Sequence, residues 1–270
     1  MAHTCENARP HVLEERCELV DNVPTAGPLW NMALYAPEIA ARILPGQFVH
    51  VKLPDFADHI LRRPFSVYEA DAETGVLRIL YQVVGSGSAR MTTLDPSFVN
   101  GMSVMGPVGN PWHLPEGAHR VLIVTGGVGA APLAMFAREV LASGAELDVC
   151  MGAQTESLLV MKSYYEEEIG VPVACATDDG SFGHAGFVTD LAAEKLAAND
   201  YDLVCCCGPE PLMRIVADLA QKANVACEVS LEKRMACGVG ACLSCVVDTV
   251  DGRKRACVDG PVFDARKVVW

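Results

Sequence analysis

Short runs of alternating apolar and polar residues, broken by Pro and Gly, fill the chain from about residue 11 to 116. "CELVDN", "LWNMALYA", "QFVHVKL", "FSVYEA" and "LRILYQVV" suit strands of a compact antiparallel barrel, because successive strand side chains point to opposite faces. Turn signals "LPGQ", "AETG" and "GPVGNP" separate or follow them. One short helix is expected here, around Ala89 to Leu94. Near His119 the rhythm changes. "RVLIV", "ELDVCMG", "VPVACAT" and "DLVCCCG" read as short buried strands, with "ACEVS" closing the set. Helical stretches lie between them: "APLAMFAREVLASG", "FVTDLAAEKLAAN" and "PLMRIVADLAQKANV". Strands and helices alternating at this spacing predict a doubly wound parallel sheet over residues 119–228. The segment 229–270 is turn-rich and too short to bury a core alone, so it needs a staple or a surface to dock on.

Composition adds limits to this outline. No apolar run of the 270-residue chain approaches the roughly eighteen residues of a membrane span. "MAHTCENARPHVLEE" has no apolar leader region, so a cytoplasmic protein without membrane contact is expected. A net charge of −13 argues against nucleic-acid binding, which calls for a basic patch. Twelve cysteines in a chain of this size point to metal, redox work or packing rather than a disulfide framework.

Candidate chemistry falls in three places. "TGGVGAAPL" follows a strand and opens a helix, where Gly126, Gly127 and Gly129 would let backbone approach a pyrophosphate at the helix N-terminus. "CCCGPEPLM" repeats the arrangement at a later strand end, with Cys207, Gly208 and Pro209 at the turn. Cys205 and Cys206 read as core packing; Cys207 either joins them or lines a nicotinamide pocket. In the barrel region, "RRPFSVY" offers an arginine fork for phosphate beside an aromatic and a hydroxyl, and "GSGS" a second anion-friendly helix start. Each piece alone is as well explained by a strand edge or a turn.

The late cysteines read C-x4-C-x2-C-x11-C, from Cys237 through Cys242 and Cys245 to Cys257. The first three follow plant-type [2Fe–2S] spacing, and the small residues Gly238, Gly240 and Ala241 would let backbone N–H groups reach cluster sulfur. Four-cysteine zinc sites also use short spacings but usually as two knuckle-like pairs, so zinc stays as the minor alternative.

"RPFS", "GSGS", "GPVGN", "GGVGAAPL" and "CGPEPLM" occur in the order seen in ferredoxin-NADP reductase-like flavoproteins, a resemblance covering about residues 11–228. It implies an FAD-binding barrel (11–116) and an NAD-binding α/β domain (119–228). Arg63 would meet FAD phosphate, with Pro64, Phe65 and Ser66 bordering the isoalloxazine. Leu80, Tyr81 and Gln82 would line the flavin's nucleotide side, and Gly87 and Ser88 would receive phosphate. The family more often has Tyr where Phe65 stands, which removes one hydroxyl and leaves the packing. NAD is expected over NADP, since "GAQTES" offers no basic residue for a 2′-phosphate. "SLEKRMACGVGACLSCVVDT" with "KRACVDGPVF" further resembles the electron-transfer subunits of dihydroorotate dehydrogenase B. That resemblance implies a [2Fe–2S] domain (229–270) and a partner catalytic subunit holding FMN, in a heterotetramer of two copies of each. Electrons from dihydroorotate would pass through cluster and FAD to NAD+ in pyrimidine biosynthesis, and this chain would supply no catalytic base. The rival is a relay subunit of another oxidoreductase, of the ferredoxin-NADP or anaerobic sulfite reductase type. A non-enzymatic zinc-stabilised binding module is the alternative of a different class.

Overall fold

The computed structural model describes residues 12–54, 60–97 and 101–270, and in it the two rhythms of the chain become two seven-stranded sheets. Residues 1–11 of the N-terminal stretch read above lie outside the described residues.

The first sheet is antiparallel and curled. Its strands are β1 (Leu13–Arg16), β2 (Glu18–Pro24), β3 (Leu29–Tyr35), β4 (Phe48–Lys52), β5 (Arg63–Asp71), β6 (Val76–Gln82) and β7 (Ser103–Val108). They lie in the order β1-β7-β4-β5-β6-β3-β2. Alternation is the cause: Met32, Leu34, Val49, Val51, Leu77 and Ile79 all turn inward and are fully buried. On β4 the opposite register sends Phe48 and His50 to the outer face, against the rest of the chain. Two short helices, α1 (Pro37–Ala40) and α2 (Ser86–Met91), interrupt the strands.

Two expectations shift here. The helix expected at Ala89–Leu94 starts and stops three residues earlier. The Ser88 hydroxyl accepts the Val84 and Gly85 N–H groups at 2.9 and 3.1 Å and so caps the first turn. The Thr92 and Thr93 hydroxyls donate back to carbonyls three residues earlier and fray the end. "GPVGNP" is also not simply a turn, because Gly106–Val108 belong to β7. The β4–β7 ladder is irregular at this point, pairing Phe48 with Val108 and His50 with Met105, so Pro107 sits where no ladder N–H is needed.

The second sheet contains β8 (Arg120–Gly126), β9 (Glu146–Ala153), β10 (Val173–Thr177), β11 (His184–Ala185), β12 (Leu203–Cys207) and β13 (Ala226–Ser230), all parallel. Helices α3 (Ala131–Ala142), α4 (Val188–Ala198) and α5 (Glu210–Lys222) cover it. The order β11-β10-β9-β8-β12-β13 places the topological switch point between β8 and β12, where such sheets bind ligands. A π-helical turn at Tyr164–Ile169 was not foreseen; its fully buried Tyr165 donates to the Ala130 carbonyl at 2.8 Å.

The C-terminal segment adds the hairpin β14 (Val246–Thr249) and β15 (Gly252–Arg255), then β16 (Val262–Asp264). β16 pairs antiparallel with β13, so the edge strand of the second sheet comes from the cysteine-rich end. "ACEVS" therefore does not close the sheet. No described helix is long and apolar enough to cross a membrane.

Candidate functional site

A cavity of about 250 Å³ opens where the barrel, the parallel sheet and the approach to the cysteine loop meet. β5 contributes Pro64, Phe65 and Ser66, and β6 contributes Leu80, Tyr81 and Gln82. The far wall is Val128 and Ala131 from the turn after β8. Ser230 to Lys233 and Met235, leading out of β13, complete it. Six residues expected at a flavin thus share one concave surface. Tyr81 borders it while keeping a buried ring, 5.9 Å from that of Phe65, and its hydroxyl donates to Asn22 Oδ1 at 3.0 Å.

The two adjacent arginines have separate duties. Arg62 is clamped to Glu14 and to the Ser103 carbonyl, tying β1 and β7 to the loop before β5. Arg63 lies across the start of α2, where a Cβ on Gly87 would run into its guanidinium. Only glycine lets the two meet so closely. The Ser88 hydroxyl donates to the Gly85 carbonyl at 3.1 Å besides accepting two N–H groups, so it is committed to its own turn.

At the switch point the two glycine turns touch. A Cβ on Gly129 would strike the Cys207 carbonyl, and one on Gly126 would come within 2.8 Å of Leu212. The turns after β8 and β12 therefore form one surface, with Gly127, Gly208 and Pro209 beside it. Cys207, read above as either core packing or pocket lining, sits behind this surface. It is buried, its Sγ lies 3.7 Å from the Ser230 carbonyl, and it does not border the cavity. Burial pushes its thiol well up, with the charge of Glu232 adding to the shift. Glu232 was not singled out in the sequence. It borders the cavity, where desolvation raises its carboxyl above the usual range. A carboxylate just past the C-terminal end of a parallel strand was the available signal.

The four late cysteines come together on the Cys237–Cys245 loop and the turn at Cys257. Cys245 and Cys257 are buried, Cys237 is half-buried and Cys242 is exposed. Cys242 acts on the Cys237 thiol, and both Cys245 and Cys237 act on that of Cys257. Burial raises the Cys237 thiol, but N–H groups of Val239, Cys242 and Ala241 outweigh it and bring the pKa down to about 6. The Val239 N–H contact is 3.5 Å. The Gly240 N–H likewise acts on Cys257, whose pKa is pushed up to about 12 by burial and by Cys245. Among the described residues no three ligating side chains close on a single point. Neighbouring thiols with N–H groups directed at sulfur fit an iron–sulfur cluster. Arg255, bound to Asp259 at 3.0 Å and to the Gly240 carbonyl at 3.3 Å, braces the loop from below.

The loop leans on the barrel. Gly238 has φ +69, and a Cβ there would come within 2.6 Å of Met105 Cε and 3.1 Å of His50 Nε2. Burial, helped by the Arg62 charge, lowers the His50 pKa to about 4. A larger cavity of about 650 Å³ lies on the loop's other side, between Val12, Asn110 and Phe263 and rimmed by Asp251, Lys254 and Lys267. It borders none of the flavin-type residues.

Comparison with known proteins matches two segments of the chain to described domains. Residues 232–269 match the iron–sulfur cluster binding domain of dihydroorotate dehydrogenase B, and residues 123–218 match the oxidoreductase NAD-binding domain. The chain is 38% identical to the dihydroorotate dehydrogenase B (NAD+) electron transfer subunit of Desulforamulus reducens, over 89% of this chain and 92% of that protein. It is 39% identical to the corresponding Bacillus caldolyticus subunit, over 83% and 86%. Among solved structures, that of the NADH-dependent reduced ferredoxin-NADP oxidoreductase aligns with a TM-score of 0.85 at 30% identity, covering 95% of this chain and 90% of that one. Phthalate dioxygenase reductase shares the fold at a TM-score of 0.62 and 18% identity, covering 88% and 87%.

Proposed function

The chain belongs to the electron transfer subunits of dihydroorotate dehydrogenase B, and on that premise we propose how its residues divide the work. It is the flavin and iron–sulfur subunit of an NAD-linked oxidoreductase, carrying FAD and [2Fe–2S] and using NAD, and it works with a catalytic partner subunit. FAD exchanges electrons in pairs or singly, the cluster exchanges them singly, and nicotinamide takes a hydride.

The protein's own task is to hold three sites at one junction. Pro64, Phe65 and Ser66 form one wall for the flavin ring, with Leu80, Tyr81 and Gln82 as its floor. Arg63 meets phosphate over the start of α2, where Gly87 gives it room and the backbone N–H groups of Gly87 and Ser88 assist. Gly126, Gly127 and Gly129 with Gly208 and Pro209 cradle the NAD pyrophosphate at the N-terminus of α3. Cys207 supports that turn from beneath. Cys237, Cys242, Cys245 and Cys257 hold the cluster. The corresponding units are 11–116 for FAD, 119–228 for NAD and 229–270 for the cluster.

Val239 and Leu243, 51% and 63% exposed, leave the cluster loop with an apolar rim. That rim supports docking of the partner there. The partner holds FMN and oxidises dihydroorotate to orotate, in a cytoplasmic heterotetramer of two copies of each subunit serving pyrimidine biosynthesis. The observation that carries this reading is the single cavity bordered by the barrel, the parallel sheet and the approach to the cysteine loop. The test is copurification with the native partner, followed by a dihydroorotate-to-NAD+ assay. A complex lacking that activity but reducing NADP+ from ferredoxin would replace it with the second reading, which the 0.85 TM-score alignment favours.

A further inference from the structure

The outer face of β4 carries a histidine that the flavin, nicotinamide and cysteine sites leave unused. His50 is 0% exposed, and among the described residues neither ring nitrogen has a hydrogen-bond partner. A neutral imidazole holds one N–H donor and one acceptor, and a dry interior rarely leaves both empty.

Its surroundings point in one direction. Across the ladder His50 faces Pro64 on one side and Met105 on the other. Its ring lies 5.6 Å from that of Phe48, which borders the flavin cavity. Nε2 reaches to 3.1 Å of the place where a Gly238 side chain would begin. Gly238 directly follows Cys237, so the missing side chain brings the imidazole against the cluster loop. Glycine's left-handed conformation there, φ +69, turns the loop toward the ring.

We propose that His50 is a positioning residue for the cluster, donating its Nε2–H to the sulfur-bearing Cys237–Gly238 turn of the loaded protein. The bond holds the loop on the barrel wall and raises the cluster's reduction potential, as hydrogen bonds to cluster sulfur do. His50 is not an iron ligand, because four cysteines already complete two irons. It links the flavin strand and the cluster loop mechanically and electrostatically. The inference rests on the cluster reading above.

The test uses the loaded complex with its native partner. An EPR-monitored redox titration compares the wild type with His50→Leu and His50→Gln. At a fixed ambient potential the reduced-to-oxidised ratio of the cluster falls about tenfold in His50→Leu, which is about 59 mV for one electron. His50→Gln, keeping an amide donor, recovers part of the shift, and the FAD midpoint stays put in both. The second measurement needs no variant: with 15N-histidine, pulsed EPR of the reduced wild type shows a histidine nitrogen coupled to the cluster. An unshifted potential in a cluster-bearing His50→Leu protein overturns the proposal, and so does absent coupling in the wild type. If His50→Leu fails to fold or to load, the labelled wild type decides alone. A wild type with no cluster signal at all overturns the cluster reading itself, and this inference with it.

Discussion

Replacing Gly129 with alanine tests whether the two strand-end turns act as one NAD-binding surface. The new Cβ would overlap the Cys207 carbonyl and lie 2.8 Å from the Gly208 nitrogen. Both obstacles are backbone, so no change of rotamer makes room. The strands behind them are locked side by side, Thr125 opposite Cys207, and the turns can part only by local distortion. Overpacking of this kind costs about 1–3 kcal/mol. If the displaced turn holds the pyrophosphate, the same energy appears in binding, and the NADH Kd rises about fivefold to 150-fold. The assay is calorimetric titration of NADH into the FAD-loaded protein, with flavin and iron contents measured alongside. Gly144→Ala is the control, since Gly144 has φ +85 with nothing within 4 Å of its Cβ position. It introduces strain of about 1–2 kcal/mol without a collision, far from the turns, and leaves the Kd unchanged. A folded, flavin-loaded Gly129→Ala protein with wild-type NADH affinity refutes the placement of NAD on these turns.

Arg63→Ala removes a charge-assisted contact to FAD phosphate and weakens FAD binding by about 1.5–3 kcal/mol, measured by equilibrium dialysis against the apoprotein. Arg62→Ala instead lowers thermal stability without lowering FAD affinity, because Arg62 serves Glu14 and the Ser103 carbonyl. Cys257→Ala removes one of the four proposed ligands, so iron content falls to near zero while the flavin spectrum persists; retained stoichiometric iron would remove Cys257 from the ligand set. Asp148 predicts a pH dependence. Burial raises its carboxyl, but hydrogen bonds from Lys195 and Tyr201 at 2.5 and 2.8 Å and the charges of Lys195 and Arg120 outweigh it, leaving the pKa below the ordinary value. Its stabilisation is therefore full above the unfolded carboxylate pKa, about 3.9, and is lost as pH falls through the lower folded value. Asp148→Asn costs about 1–3 kcal/mol at neutral pH and flattens the acid limb of a chemical-denaturation series; an unchanged limb contradicts the assignment.

How much of this was legible depended on the range of the interactions. Strand patterning is local: alternation located β3 to β6, and short apolar runs located β8 to β10, within a few residues. The grouping of Cys237, Cys242 and Cys245 was legible because spacing along a loop is itself local. The failures needed distant partners. β16 is three residues long and becomes a strand only by pairing with β13. Pro107 reads as a turn residue until the irregular β4–β7 register gives it a place where no N–H is needed. Cys207 had two open readings from sequence, packing or pocket, and only the fold shows its side chain turned inward toward the Ser230 carbonyl. His50 was indistinguishable from any residue of an alternating strand. Its meaning comes from Gly238, far along the chain, arriving on the same face.

That arrival follows from how the last segment is pinned. The chain leaves β13 at Ser230, lines the cavity with Leu231, Glu232, Lys233 and Met235, forms the cysteine loop, and returns as β16 beside the strand it left. Both flanks of the loop are thereby fixed to the parallel sheet, while its Gly238 side rests on Met105 and His50 of the barrel. The Asn110 N–H donates to the Gly260 carbonyl at 2.6 Å, and Leu231 N–H to the Pro261 carbonyl at 2.9 Å, so the same short stretch joins barrel and sheet. A cysteine loop on a free linker would lose electron transfer with every excursion from the flavin. Here the loop is held between the barrel and the parallel sheet. The antiparallel edge strand is thus what the small C-terminal unit uses in place of a core of its own.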